Sequence, residues 1–254
     1  MSRLPVTVEG EEDPYNPAMR VGKYEKELTE LLDSAKGERQ VHAYLKEHSD
    51  LIVRAFNQAW NAKHIVSEFK VGTDFRSDFL ILSADSGSWH AIFIELESHS
   101  ARLYAPDGRP SKALQVAQRQ LAEWGAYAGR HEDVLRHQFS EILRPLNVGS
   151  QCSVAGTYGS AAEEIRDRHT VVHFHYHIVI GRSRNLSAEE QRYRQQDYQC
   201  WGGMPIATYD RLIHFARRTD EAYRDAVEVW KKAGGKVPAE VKRQFYGKKP
   251  ALVV

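Results

Sequence analysis

The sequence predicts one α/β domain with helical ends. Two observations carry this. Segments with a helical spacing of apolar residues flank a central run of short segments rich in Ile, Phe and Val, and two of those short segments are joined by a connection of hairpin length. The chain has 254 residues, enough for one large domain with a sizeable core, and its 42% hydrophobic and 27% charged residues are ordinary for a folded protein. Lys plus Arg number 35 and Asp plus Glu 34, a net charge of +1. That balance excludes a wholly basic nucleic-acid coat and an acidic tail protein, while leaving room for a local basic groove.

No apolar run reaches the roughly 18 residues of a membrane helix, so no membrane association is expected. The opening MSRLPVTVEGEEDPYNP lacks the apolar centre of a signal peptide, and a cytoplasmic location is the expectation. Cys152 and Cys200 form no CxxC pair, which argues against a zinc knuckle or a disulfide scaffold.

Residues 1–22 hold Pro, Gly and an acidic cluster and read as an N-terminal arm, residues 23–235 as the domain, and 236–254 as a basic tail. From Tyr24 onward Leu28, Leu31 and Leu32 share a helix face. ERQVHAYLKEH continues the helical period with Val41, Tyr44 and Leu45, and Ser49 is the expected N-cap of DLIVRAFNQAW. The period then changes. HIVSEFKVG, FRSDFLILS and WHAIFIELES read as three strands of an antiparallel meander, the last two joined through ADSGS. Pro110-Ser111 opens a long helix with Leu114, Ala117, Leu121, Trp124, Gly125 and Ala128 on its inner stripe. A weakly patterned region extends to about residue 167, and HTVVHFHYHIVIGRS is a fourth strand. Ser187 and Glu190 form a capping box, PIATYDRLIHFARR reads as a short strand running into a helix capped by Thr208, and a last helix covers about 219–233.

The chemistry concentrates between Asp78 and Glu97. Glu95 and Glu97 are two apart on one strand and so point to the same face. With the hairpin centred near Asp85–Gly87, Asp78 falls almost opposite Phe93, a short diagonal from Glu95. Carboxylates gathered in an apolar setting need a cation or hydrogen bonds to offset their repulsion, and an all-oxygen set suits Mg²⁺ or Mn²⁺. Such a cation acidifies a bound water and neutralises charge on a phosphate. Read from the residues alone, the three carboxylates are either such a site or solvent-facing strand ends. Glu38 is either a further ligand or a first-turn Glu favoured by the helix dipole, and Gln118 is either within reach of the site or a boundary glutamine.

The order of these segments resembles the PD-(D/E)XK nuclease superfamily and, more narrowly, the Shedu-type defence nucleases. The resemblance rests on a helix led by Glu (ERQVHAYLKEHSDLI), a strand with Asp (RSDFLIL), a strand with Glu (AIFIELES) and a helix of the ALxxAxxQLxxW type. It also rests on a strand ending Ile180-Gly181-Arg182 and a helix starting TYDxL at Thr208 to Leu212, and it spans roughly residues 36–217. It implies a restriction-endonuclease-like mixed central sheet flanked by helices, Mg²⁺- or Mn²⁺-dependent hydrolysis of DNA, a role in antiphage defence and a homo-oligomer that pairs its sites. By the resemblance Asp78 and Glu95 bind the metal, Glu38 supports it, and Gln118 positions the water or a phosphate. The superfamily has Lys where this chain has Glu97. A Glu there resembles a variant of the same family, and Glu97 is read as a metal-site residue. Lys112, at the start of the long helix, and Lys70, on the preceding strand, are the candidates for the missing positive charge. The alternative is a degenerate nucleic-acid-binding protein of the same fold.

Two other features stand apart from this site. His173, His175 and His177 share one strand face, opposite Phe174, Tyr176, Ile178 and Ile180; they suit either a metal site or a half-exposed sheet face. For contact with DNA phosphates the candidates are Arg166, Arg168, Arg182, Arg184, Arg192 and Arg194, with the basic segment 211–254, which holds eleven Lys or Arg against five Asp or Glu.

Overall fold

A computed structural model describes residues 23–57, 63–73, 75–85, 87–151, 158–200 and 206–233, together with Lys242, Phe245, Leu252 and Val253. The expected arm and most of the expected basic tail lie outside the described residues. The helices are α1 (Lys23–Ser34), α2 (Glu38–Glu47), α3 (Ser49–Phe56), α4 (Lys112–Arg130), α5 (Glu132–Leu143), α6 (Ala161–Arg166), α7 (Ala188–Cys200) and α8 (Tyr209–Lys232). The strands are β1 (Lys63–Val71), β2 (Phe75–Asp85), β3 (Ser88–Leu96), β4 (Val171–Val179), β5 (Ile206–Ala207) and β6 (Leu252–Val253).

The strands form one mixed sheet in the order β5-β4-β3-β2-β1-β6. The first three make the expected antiparallel meander, while β4 joins β3 in parallel and β5 joins β4 in parallel. Alternation along the strands gives the sheet two apolar faces. Leu80, Leu82, Ala91 and Phe93 pack with Leu114, Leu121 and Trp124 of α4 and Phe139 of α5. Phe79, Ile81, Ile92 and Ile94 pack with Leu28, Val41, Leu51 and Leu212 from the other helices. The result is an α/β domain with helices on both faces, as a two-sided sheet requires.

The caps follow the sequence in part. Ser111 accepts from the Leu114 N–H, and Ser187 and Glu190 bond reciprocally to each other's backbone N–H. Ser49, expected to cap α3, is instead its first helical residue, with His48 at the N-cap position. Thr208 occupies the N-cap of α8 but makes no side-chain capping bond. The helix expected from about residue 219 is the second half of α8: Thr219 returns its hydroxyl to the Phe215 carbonyl, and Asp220 accepts the Tyr24 and Glu25 N–H groups, stabilising the start of α1 across the fold. The weakly patterned region contains α5 and α6. Within the expected tail, Leu252 and Val253 pair in parallel with Val66 and Ser67 at the β1 edge. Among the described residues, no helix is long and apolar enough to cross a membrane.

Candidate active site

The hairpin between β2 and β3 fixes the geometry of the carboxylates. Asp85 pairs with Ser88 and Gly87 adopts φ +94°, a left-handed conformation that short hairpin loops favour and glycine supplies without strain. The turn is centred between positions 86 and 87, and the partner of Asp78 lies two residues beyond the expected Phe93. Phe93 pairs with Leu80, and the register that pairs Phe79 with Ile94 brings Asp78 across from Glu95 itself. The Leu96 N–H donates to Asp78 Oδ2 at 2.7 Å.

On the other side of Asp78, the β1–β2 ladder pairs Ser67 with Phe79 and Phe69 with Ser77 and skips Glu68, which has φ +57°. Glu68 thus lies beside Asp78. A non-glycine residue held in this region is strained by about 1–3 kcal/mol and is more common near functional sites.

Two helices bracket the strand ends. From α4, the Gln120 side-chain amide donates to Glu95 Oε1 at 2.8 Å, while Glu95 Oε2 is buried without a hydrogen-bond partner. From α2, Glu38, His42 and Lys46 follow one another at four-residue spacing, one helix face. His42 Nε2 stands 3.3 Å from Asp78 Oδ1 but is not aligned as a hydrogen bond, and Lys46 reaches Glu68 at 3.7 Å.

The electrostatics show that these groups act on one another. Burial pushes the Glu95 carboxyl up to about 9, with further repulsion from Asp78 and Glu97, against weaker opposing hydrogen bonds from Gln120 and the Asp78 backbone. Burial, then Glu38 and Asp78, raises Glu97 to about 7. His42 is raised by its contact with Asp78, in spite of partial burial. Asp78, Glu95, Glu97 and Glu38 thus form one coupled acidic cluster. Among the described residues, no three His, Cys, Asp or Glu side chains stand closely enough to hold a metal ion as they are placed.

Gln118 is buried on α4, but the glutamine that bonds Glu95 is Gln120. The pattern ALxxAxxQLxxW itself sets its Gln immediately before Leu121, at position 120. Lys112 is exposed in the first turn of α4, eight residues and so about 12 Å of helix before Gln120. Lys70 is exposed on β1. Neither makes an ion pair with the cluster among the described residues. His42 and Lys46 are the cationic groups beside it, and nothing in their sequence context distinguished them from ordinary helix residues.

The model of a known family, described as Shedu protein SduA, C-terminal, matches residues 35–213. The chain belongs to the Shedu family. A comparison with curated proteins gave no match. The two downstream Shedu-like motifs have physical roles here, and both serve the segment carrying Glu97. In Ile180-Gly181-Arg182, Ile180 is core, and Gly181 has φ +62° with the Ala101 carbonyl oxygen where a Cβ would come within 2.5 Å. The Gly181 N–H donates to the Ser98 carbonyl. Arg182, 5% exposed, divides its guanidinium between Asp33 and Asp210. In the TYDxL motif, Tyr209 donates its hydroxyl to the Glu97 carbonyl at 2.9 Å, Asp210 also accepts the Ser183 N–H, and Leu212 is core.

This corrects the expected basic set. Arg182 is a buried structural residue, Arg184 pairs with Asp33, and Arg168 pairs with Asp133. Arg166, Arg192 and Arg194 have no carboxylate partner among the described residues. The histidine face extends onto β3, where His90 pairs in register with His173 and its Nδ1 lies 2.9 Å from His175 Nε2.

Proposed function

We propose that this Shedu chain is a metal-dependent endodeoxyribonuclease of antiphage defence, built on a restriction-endonuclease-like PD-(D/E)XK sheet. The observation that carries this reading is the buried, unpartnered Oε2 of Glu95, set among the repelling charges of Asp78, Glu97 and Glu38. A divalent cation of the Mg²⁺ or Mn²⁺ kind offsets that repulsion, and an all-carboxylate donor set suits its preference for oxygen. Asp78 and Glu95 would hold it, with Glu97 and Glu38 turning inward to complete the set. When bound, such an ion acidifies a water and neutralises charge on a phosphate.

The chain's own groups have separable tasks. Gln120 fixes the rotamer of Glu95, and the Leu96 N–H fixes Asp78. His42, held toward its charged form by Asp78, takes the positive role that lysine has in the superfamily, with Lys46 one turn further along α2. Lys112, exposed at the start of α4, would meet a phosphate from solution, and Gln118 would position the water or a phosphate. Paired cutting of both strands would come from a homo-oligomer.

A second reading has one observation in its favour: Glu97 stands where a catalytic lysine is usual, so the site is degenerate and the protein binds DNA without cutting it. Purified protein incubated with plasmid and with linear DNA, in Mg²⁺, in Mn²⁺ and with chelator, tests both. Cutting that needs either metal supports the nuclease. Salt-sensitive DNA binding with no cutting in any condition supports the second reading.

A further inference from the structure

A cavity of about 730 Å³ lies on the α3–α8 side of the sheet, away from Glu95. Pockets for small ligands commonly measure about 300–1,000 Å³. Its wall has three distinct parts. Phe56 and Ile206 supply apolar surface, Arg194 and Arg211 supply charge, and His177 supplies a ring nitrogen.

The charge is available to a ligand. Asp210 also lines the cavity, but its carboxylate is occupied by the Arg182 guanidinium and the Ser183 N–H. Arg211 donates Nε to the Ala55 carbonyl, and among the described residues neither Arg211 nor Arg194 has a carboxylate partner. Two arginines that line one cavity with no carboxylate paired to them suit a phosphate, because a guanidinium presents a planar fork of donors.

The remaining wall suits a flat heteroaromatic ring. The Arg211 guanidinium lies 5.3 Å from the centre of the Phe56 ring, a stacked platform of cation and arene. His177 packs against Phe56 at 5.0 Å between ring centres, and its Nδ1 is buried with no hydrogen-bond partner. A buried ring nitrogen left unpaired is costly, so His177 gains from any turn of its ring that brings Nδ1 to a base edge in the cavity. Burial and the neighbouring His175 and Arg211 keep this imidazole neutral, pushed down to about 3, so it meets a base as a neutral donor or acceptor.

We propose that this cavity binds a nucleotide, with the phosphate on Arg194 and Arg211 and the base against the apolar wall of Phe56 and Ile206, its edge toward His177. The nucleotide is either free in solution or the terminal unit of a nucleic-acid strand, since both present one base and one phosphate. The proposal is independent of whether the carboxylate cluster cuts DNA.

Calorimetric titration of the full chain, in chelator, with adenosine 5′-monophosphate, adenosine and inorganic phosphate tests it. The nucleotide should bind more tightly than either fragment, and Arg194→Ala should weaken it about tenfold or more, the usual loss for one charge-assisted contact. Arg194 is on a partly exposed helix face, so its variant should keep the parent melting temperature; His177→Phe is a second variant that tests the base contact. A 5′-phosphorylated oligonucleotide that displaces the mononucleotide assigns the cavity to strand ends, and one that binds without displacing it assigns the cavity to free nucleotide. No binding of adenosine 5′-monophosphate at millimolar concentration, or binding unchanged in both variants, overturns the proposal.

Discussion

Asp78 stands across from Glu95, and the backbone just after Glu95 is tied to the aspartate by the Leu96 N–H at 2.7 Å. Asp78 therefore has two roles that different substitutions separate. Asp78→Asn and Glu95→Gln keep shape and remove charge, so both should abolish metal-dependent cleavage. Glu95→Gln should also raise the melting temperature in chelator at pH 8, because it removes the cost of burying a carboxyl that is ionised in the unfolded chain. Asp78→Ala additionally loses the bond from Leu96, a cost of about 1 kcal/mol, or roughly 2–4 °C at this chain length. A Glu95→Gln protein that cuts DNA like the parent would remove Glu95 from the site.

The raised carboxyls also set a pH dependence. Glu95 is pushed up to about 9 and Glu97 to about 7 in the folded chain, against an ordinary value of 4.5. Between those values the folded state binds more protons than the unfolded state, so the slope of stability with pH is negative. The contribution of these two groups is complete below about pH 4.5 and is lost as pH rises, Glu97 by about 7 and Glu95 by about 9. Metal-free protein should melt at progressively lower temperature from pH 5 to pH 9, and Glu95→Gln should flatten most of that decline. Saturating Mg²⁺ should flatten it as well, because a bound cation favours the ionised carboxylates. A Glu95→Gln variant with the parent's slope would show that the shift arises elsewhere.

Much of the fold was legible because apolar periodicity is local. The meander, the inner stripe of α4 and the Ser187–Glu190 box all follow from residues within a few positions of one another. The site depends on less local terms. Asp78 meets Glu95 and not Phe93 because antiparallel register moves by two for each shift of one in the turn centre, so a small error at the turn is doubled along the strands. Gln118 and Gln120 are both polar residues of one helix; the motif spacing already marked Gln120, and the docking of α4 on β3 brings that residue to Glu95. His42 and Lys46 reach the cluster because α2 packs over the strand ends, a tertiary fact with no local signature. Arg182 read as a DNA contact because a sequence does not reveal the distant carboxylate that an arginine will meet, here Asp33.

The Tyr209 hydroxyl bonds to the Glu97 carbonyl from a fully buried ring. Tyr209→Phe leaves that carbonyl without this donor and should cost about 1 kcal/mol of stability. Its effect on cleavage should exceed its effect on folding, since Glu97 keeps only the bond of its N–H to the Val179 carbonyl while the core keeps its ring. Activity measured well below the melting temperature separates the two. Wild-type cleavage with lowered stability would make Tyr209 purely structural.

Contacts with DNA phosphates should show in the salt dependence of binding, because each contact releases counterions. Arg192→Gln and Arg166→Gln should each reduce the slope of log affinity against log salt by about 1 where the arginine touches a phosphate. Arg182→Gln should instead lower stability, because Asp33 and Asp210 lose their buried partner. Substituting Lys248 and Lys249 with Gln tests the C-terminal segment better than truncation does, since truncation also removes the pairing of Leu252 and Val253 with β1. An unchanged slope across all of these variants would place the DNA on another surface.

Glu97 separates the two readings of the protein. It follows Glu95 by two residues, about 7 Å along an extended chain, and its carboxyl is raised by burial and by Glu38 and Asp78. If it belongs to the metal site, Glu97→Gln should lower metal-dependent cleavage strongly. Glu97→Lys should not improve it, because the positive role already belongs to His42 and a lysine there would repel the cation. His42→Ala should then lower cleavage in the otherwise native protein, and His42→Lys should retain part of it. If the site is degenerate, the native chain cuts no DNA with Mg²⁺ or Mn²⁺, and placing lysine at 97 restores the superfamily's usual arrangement. Assaying the native chain, Glu97→Gln, Glu97→Lys and His42→Ala side by side distinguishes these cases. Cleavage gained only in the lysine variant would overturn the metal-site role of Glu97 and with it the nuclease reading of the native chain.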